Sequence, residues 1–495
     1  MAADLDKVFK PRSLALVGAS NSPGKWGSFL LVNLLSGGYP KEDVFPVNLK
    51  EKEVHGLPAY PGLSSLPQKP DLVVITTPAK TVGAILEECS QQDIKHVVVI
   101  SSNFSEVSEE GVLLEEEIAA IACKHDLIMV GPNTMGIVNA QEYLYAVGAP
   151  LQLHPGKISF VSQSGNVGAN MLGWTMNQGI GFGKFVGSGN EAVLHAEDYI
   201  EYFGDDKETD LILAYLEGVD NGRKFMQVAS STCLKKPVIV LKSARTDEGG
   251  RAAMSHTGSM AGADAIYEAA FRQSGVIRAD TSQEMLDLAK SFGRLPLPRG
   301  DRLGILTLGG GWGVIATDAT ASAELQMAEL DDDVMRVCNE LLPPFWSHGN
   351  PVDLVGDIHM DTHIQIMEAM VRSPDIDAMV VLGSLGTSPM IGLTVLVSEK
   401  VVRSMSDEAL KGFISELRNR NRRFLRKAHE LMNTYMKPIV FVEMQFVGEE
   451  YLRDLESGES VIFTAPEKAA GILAKMLEYQ RYLKRKGRDI DEARV

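Results

Sequence analysis

Residues 13–20 read Ser-Leu-Ala-Leu-Val-Gly-Ala-Ser, a short apolar run that ends on a glycine. The same figure returns at 43–49 (DVFPVNL), 71–78 (DLVVITTP), 96–103 (HVVVISSN) and 127–133 (LIMVGPN), with helix-patterned segments between. Runs of this length that are apolar on both faces predict buried parallel strands joined by crossover helices. A second series follows at 157–165 (KISFVSQSG), 181–190 (GFGKFVGSGN), 209–219 (TDLILAYLEGV) and 237–245 (PVIVLKSAR). A third begins after the Pro/Gly/Arg-rich stretch 295–302, at 303–311 (LGILTLGGG), 350–357 (NPVDLVGD), 378–386 (AMVVLGSLG) and 437–445 (KPIVFVEMQ). The predicted class is therefore α/β with three doubly wound modules, at 1–148, 149–299 and 300–495. The 495 residues agree with about three domains of roughly 150 residues each. Near 390–437 the third series is interrupted by helix-prone sequence with seven basic residues between Lys411 and Lys427. It is read as a solvated helical hairpin or, alternatively, a docking surface for an acidic partner.

Composition narrows the function. Hydrophobic residues make up 45% and charged residues 23%, enough for ordinary cores. Lys and Arg number 48 against 65 Asp and Glu, a net charge of −17. Nucleic acid and anionic membranes are poor partners for such a surface, so an anionic ligand needs a local pocket. Cys89, Cys123, Cys233 and Cys338 are too scattered for a disulfide framework or a CxxC metal site. No apolar run reaches the ~18 residues of a membrane span, and the charged N-terminus does not read as a secretory signal. The expectation is a cytoplasmic protein without metal; His359-Met-Asp-Thr-His363 lacks the glutamate of HExxH.

Two loops carry the chemistry. After the first strand, Gly18-Ala-Ser20-Asn-Ser-Pro-Gly24-Lys-Trp-Gly27 opens a helix, where glycines let a phosphate approach the backbone. It departs from GxGxxG at Ser20, and a turn like this also serves purely structural ends. The second strand closes on Asn48-Leu-Lys50, where an NAD site would carry an acid for the ribose hydroxyl. A lysine there favours a phosphorylated ribose. The second loop, 243–263 (SARTDEGGRAAMSHTGSMAGA), is almost devoid of core-forming side chains and centres on His256. Imidazole is a competent nucleophile toward phosphoryl groups, although a surface histidine is the plainer alternative. VSQSG and LTLGGGWG each open a helix and point free N–H groups at a ligand. Glu217 stands at the carboxyl edge of its strand. It is either a solvated loop acid or the orienting partner of a histidine.

In family order, VGAS, ITTPAKTV, GPNTMGIVN, VSQSG, GSGNEAVL, YLEGV, SHTGSMAG, GGGWG and NPVDLVGD resemble the α subunits of ADP-forming acetyl-CoA synthetases. These belong to the NDP-forming acyl-CoA synthetase superfamily, with succinyl-CoA synthetase. The likeness runs from about residue 8 to 480. It implies a Rossmann-like CoA-binding domain followed by two flavodoxin-like ligase domains. CoA would contact Gly18, Ser20, Gly24, Asn48, Lys50, Thr77, Pro78, Ser101, Ser102 and Asn103. The phosphorylated histidine maps onto His256 and its orienting glutamate onto Glu217. Phosphate-binding helix starts map onto Ser164, Gly165, Asn166 and onto Gly311, Trp312, Gly313, and acid binding onto Asn350. The resemblance also implies an ATP-grasp β subunit, in an α2β2 assembly, that holds ADP or ATP with Mg2+. Three positions depart from the pattern: Thr134 stands for the family's cysteine, Ala169 for a tyrosine, and Trp312 for a small residue or proline. The activity implied is an acid–CoA ligase that passes through acyl phosphate and phosphohistidine. A CoA-binding regulator without turnover is the alternative.

Overall fold

The computed structural model describes residues 4–246, 248–251, 264–357, 359–385, 407–443 and 460–488. The chain divides into two compact units, Met1–Ala289 and Lys290–Arg494. The three larger sheets are parallel or dominated by parallel pairs, as the short two-faced apolar runs predict.

The first unit holds two large sheets and a two-stranded one. Strands β1 (Leu14–Val17) and β2 (Val44–Val47) belong to the N-terminal sheet, and β3 (Glu53–Val54) with β4 (Leu57–Pro58) forms a separate small hairpin. Strands β5 (Leu72–Ile75), β6 (His96–Val99) and β7 (Ile128–Val130) complete the N-terminal sheet, in the order β2-β1-β5-β6-β7, all parallel. Every residue of β1, β2, β5 and β6 is buried. The order reverses direction at β1, so its loop opens at a crevice where doubly wound sheets take ligands.

The second sheet contains β8 (Gly136–Asn139), β9 (Leu144–Val147), β10 (Pro155–Ser162), β11 (Phe182–Gly187), β12 (Leu211–Leu216), β13 (Val238–Lys242) and β14 (Ile277–Ala279). Its order is β14-β13-β12-β10-β11-β8-β9. The β8–β9 hairpin lies before residue 149 in sequence yet pairs antiparallel with β11. Asn139 helps tie it down, donating its amide to the Phe9 carbonyl at 3.0 Å.

The second unit carries β15 (Arg302–Thr307), β16 (Gln326–Met327), β17 (Val352–Asp353), β18 (Ala378–Leu382), β19 (Ile439–Val442) and β20 (Ile462–Phe463). The path is β16-β15-β18-β19-β20, with β17 also on β15. Within the 390–437 segment, the described part is a single helix, Asp407–Tyr435. Its last turns also bury an apolar face, opposite the exposed basic residues. Phe424, Leu425, Ala428, Leu431 and Met432 are buried, and Phe424 meets Phe441 of β19 at 5.8 Å between ring centroids. Arg422, Arg423 and Arg426 are exposed, so the 3.6-residue period sends the charged and apolar sets to opposite faces.

His363 is fully buried, with Nε2 2.7 Å from the Asp357 carbonyl. Burial holds its pKa below the usual histidine value. That is a core histidine, and among the described residues no cluster of His, Cys, Asp or Glu could hold a metal ion. No helix among them is long and apolar enough to cross a membrane. Cys89, Cys233 and Cys338 are buried free thiols, and burial pushes Cys89 and Cys338 up to about 12.

Candidate functional site

The carboxyl edge of the N-terminal sheet carries all ten residues assigned to CoA from the sequence. Gly18 has φ +92°, and a β-carbon there would come within 2.6 Å of Thr76 Oγ1. Gly27, in the first turn of helix Trp26–Gly37, is more constrained: its β-carbon would sit 2.0 Å from the Gly18 carbonyl oxygen. The helix start therefore lies directly on the glycine loop, the arrangement a phosphate site needs. Ser20 is buried and accepts the Ser22 N–H at 3.1 Å. Asn48 links loop to strand: its amide donates to the Ala19 carbonyl at 2.7 Å, and its oxygen accepts the N–H groups of Lys50 and Glu51. The Lys50 ammonium is left exposed, with no ion-pair partner among the described residues. Gly24 also takes positive φ, at +86°. Beyond β5 and β6, Ser101 donates to the Thr77 carbonyl at 2.5 Å. Pro78 and Asn103 flank this contact on exposed backbone, Asn103 at φ +73°.

A cavity of about 480 Å³ opens between this edge and the second sheet. Of the residues assigned from the sequence, Ser102, Ser164, Gly165, Asn166 and Glu217 line it. Ser164 caps helix Gly165–Asn177, its side chain accepting the Val167 N–H at 3.4 Å. The N–H groups of the first turn and the positive helix end then face the cavity. Glu217 follows β12, and its backbone is held on both sides. Its N–H donates to Gln163 Oε1 at 2.5 Å, and its carbonyl accepts Lys242 Nζ at 2.8 Å. Lys242 also donates to the Ser243 carbonyl at 2.7 Å and stands 4.6 Å from the Tyr267 ring centroid. Burial lowers the pKa of this lysine. The ammonium fastens the turn carrying Glu217 to the chain that leads into the histidine loop. His256 itself falls in 252–263, outside the described residues.

Pattern reading overlooked several residues of this cavity. Gln163 Nε2 donates to Glu191 Oε2 and to the Gly218 carbonyl, both at 3.1 Å. Glu191 is a non-glycine residue at φ +59° with a side chain 10% exposed, and its Oε1 is buried without a partner. Next to it, the Asn190 amide donates to Glu106 and Glu115 at 2.7 Å, joining the two sheets across the cavity, and its oxygen accepts from Asn133 at 3.1 Å. Trp26 and Met135 supply apolar wall. The sequence signal was the place of Gln163 in VSQSG, of Asn190 and Glu191 in GSGNEAVL, of Asn133 and Met135 in GPNTMGIVN and of Trp26 in the glycine loop; Glu106 and Glu115 carried none.

The remaining assigned residues lie in the other unit. Gly310 begins helix Gly310–Ser322, so Gly311, Trp312 and Gly313 form its first turn. A β-carbon on Gly311 would meet open space, and one on Gly310 would approach Asp353 Oδ2 to 3.0 Å. Asn350 uses its whole amide on backbone. Oδ1 accepts the Ile305 N–H at 2.9 Å, and Nδ2 donates to the Leu303 and Ala328 carbonyls.

Residues 12–140 match a CoA binding domain, 155–292 a succinyl-CoA ligase like flavodoxin domain, and 303–416 a ligase-CoA domain. The chain is 43% identical over 356 residues to the acetate–CoA ligase (ADP-forming) I subunit alpha of Pyrococcus furiosus, covering 71% of this chain and 77% of that one. It is 39% identical to the isoform II alpha subunit of the same organism, covering 76% and 82%. Among solved structures, it superposes on acetyl-coenzyme A synthetase 1 of Ca. Korarchaeum cryptofilum, in complex with phosphate and ADP. The TM-score is 0.82 at 33% identity, covering 98% of this chain and 99% of that one.

Proposed function

The chain belongs to the family of ADP-forming acetate–CoA ligase α subunits, and from that premise we propose that it interconverts acyl-CoA, phosphate and ADP with acid, CoA and ATP. The observation that carries the reading is the shared cavity of Glu217 and the capped helix start Ser164–Asn166. One supplies a carboxylate for a histidine, the other a positive end for phosphate.

The cycle has three steps. Phosphate oxygen attacks the thioester carbon, the C–S bond breaks, and acyl phosphate and CoA result. The imidazole of His256 then attacks the phosphorus, the acyl carboxylate leaves, and the histidine carries the phosphoryl group. ADP finally takes that group from His256 to give ATP. Glu217 accepts the Nδ1–H of the histidine, so that Nε2 is the nucleophile and the developing cation is supported. CoA lies along the carboxyl edge of the N-terminal sheet, with its 3′-phosphate beside the exposed Lys50. The helix starting at Gly310 offers a second phosphate site by the same physics. Asn350 serves the acid indirectly, holding the β15 backbone that leads into that helix. The nucleotide and Mg2+ sit on an ATP-grasp partner, in an α2β2 assembly.

The test is co-expression with an ATP-grasp subunit and a screen of acids for thioester formation. Labelled ATP should leave an acid-labile, base-stable phosphoryl group on this chain, and His256→Ala should abolish it. Labelling that survives the substitution refutes the assignment.

A further inference from the structure

The first step of the proposed cycle leaves a proton to be assigned. Hydrogen phosphate enters with a P–O–H group, the acyl phosphate keeps no such hydrogen, and CoA leaves as a thiol. Some group at the cavity must take the proton from phosphate and give one to sulfur. In this cycle Glu217 is taken by the histidine, and the helix start only donates. Glu191 offers a carboxylate oxygen to spare. It lines the cavity with a side chain 10% exposed; Gln163 Nε2 donates to Oε2 at 3.1 Å, and Oε1 is buried without a donor. An unmatched buried acceptor is destabilising, and in a ligand site it marks the place of a donor that comes with the ligand. The side chain is also fixed in place. Glu191 stands at φ +59°, where residues other than glycine are uncommon. The flanking peptides hold it there: the Asn190 N–H donates to the Pro132 carbonyl at 2.9 Å and the Ala192 N–H to the Gly131 carbonyl at 3.2 Å. Strain held in this way gathers at functional sites. Gln163 ties the carboxylate to the phosphate end of the cavity. Its side chain binds Glu191, and the next residue, Ser164, caps the helix Gly165–Asn177.

We propose that Glu191 accepts the P–O–H proton of inorganic phosphate at this helix start and passes it to the CoA sulfur, so that the site takes phosphate and rejects sulfate. The inference rests on the reading of the cavity as the phosphate site of an acid–CoA ligase. A phosphate oxygen bonds to the thioester carbon, and the C–S bond breaks with its electron pair going to sulfur. The P–O–H proton goes to Glu191, and Glu191 returns it to the thiolate. Acyl phosphate and CoA thiol result, and the carboxylate ends as it began. In the opposite direction the same group takes the thiol proton and returns it to phosphate. Selectivity follows from the same oxygen. The helix start donates N–H groups to any tetrahedral anion. At neutral pH, however, phosphate carries at least one hydrogen and sulfate carries none. Sulfate therefore meets Glu191 as an unrelieved like charge, whereas phosphate meets it as a donor.

The experiment uses the chain with its ATP-grasp partner. Phosphoenzyme is labelled by two routes: from labelled inorganic phosphate with the CoA thioester of whichever acid the enzyme activates, and from labelled ATP. Sulfate is titrated against phosphate on the first route. In the wild type both routes should label the chain, and sulfate should compete at least about tenfold more weakly than phosphate, as facing like charges require. Glu191→Gln keeps the side-chain length and an oxygen for Gln163 but takes no proton. Labelling from thioester and phosphate should slow by about 100-fold or more, the range for a lost general acid–base group. The ATP route, in which no proton moves to sulfur, should continue at close to the wild-type rate. Sulfate should then compete with phosphate about equally, because an amide N–H donates to either anion. Equal slowing of the two routes overturns the inference and makes the carboxylate a support for Gln163 and the Glu217 turn. Unchanged labelling on both routes overturns it as well, and so does a wild type in which sulfate competes as strongly as phosphate. If the wild type is labelled by neither route, the ligase reading itself has failed, an outcome that the Glu191 variant alone does not produce.

Discussion

Glu217 is a carboxylate whose backbone is fixed by two neighbours from outside its own strand. Gln163 holds its N–H and Lys242 its carbonyl. Replacing the glutamate by glutamine keeps both backbone bonds and removes only the charge. Glu217→Gln should therefore fold normally and form phosphoenzyme more slowly by several orders of magnitude, as quench-flow labelling would show. Near-normal labelling would remove the carboxylate from the mechanism. Gln163→Ala has a different signature, because it leaves the N–H groups of Glu217 and Gly218 without their acceptor. Its cost is about 1–3 kcal/mol, read as a lower denaturation midpoint, with slower labelling as a consequence. Beside them, Glu191 holds His195, whose Nδ1 is 3.6 Å away, and this contact raises the histidine pKa above its ordinary value. A raised pKa means that the pair stabilises the fold fully below about pH 6.5 and loses that contribution as pH rises through the folded pKa. The stability gap between wild type and His195→Asn should accordingly be widest in mild acid and close at alkaline pH. A gap that grows with pH would contradict the pairing.

At the scale of elements, strands and helix starts were legible because each depends on a few consecutive residues. Runs such as LALVG and LVVIT are too short for a helix and apolar on both faces, and they became β1 and β5. The start at Ser164 was legible from a serine before a helical pattern. The helix at Gly310 starts inside the glycine run, where propensity argues against a helix and packing overrides it. Likewise, the charge count of the basic segment 411–427 conceals the buried apolar face that begins at Phe424, on the side opposite the exposed arginines. Gly27 gives the element-scale test. A β-carbon there collides with the Gly18 backbone, which cannot yield as a flexible side chain would. Gly27→Ala should weaken CoA binding at least tenfold by calorimetry, through the shift of helix Trp26–Gly37 off the loop. Unchanged affinity would show that the close approach is not needed for the ligand.

For the whole molecule, a net charge of −17 opposes every anion the proposed reaction uses. CoA must therefore be captured by local features, and Lys50 is the one exposed cation assigned to its 3′-phosphate. CoA should bind more tightly than dephospho-CoA in dilute buffer, and the difference should shrink with added salt, because an exposed charge is screened within about 10 Å at 0.1 M. Lys50→Ala should erase the difference; equal affinities in the wild type would remove the contact. The order of strand, glycine turn and helix and the three series of such units were determined by the sequence alone. Each is encoded locally, in side-chain periodicity and in residues that tolerate unusual backbone angles. Tertiary structure alone decided that β8–β9 joins the second sheet, that Gln163 reaches across 54 positions to Glu217, and that Gly165, Met135, Gly148 and Trp26 touch in a line. Those contacts join residues far apart in the chain, and their geometry arises only when the helices and sheets pack, because no local pattern specifies which distant backbone a side chain will meet.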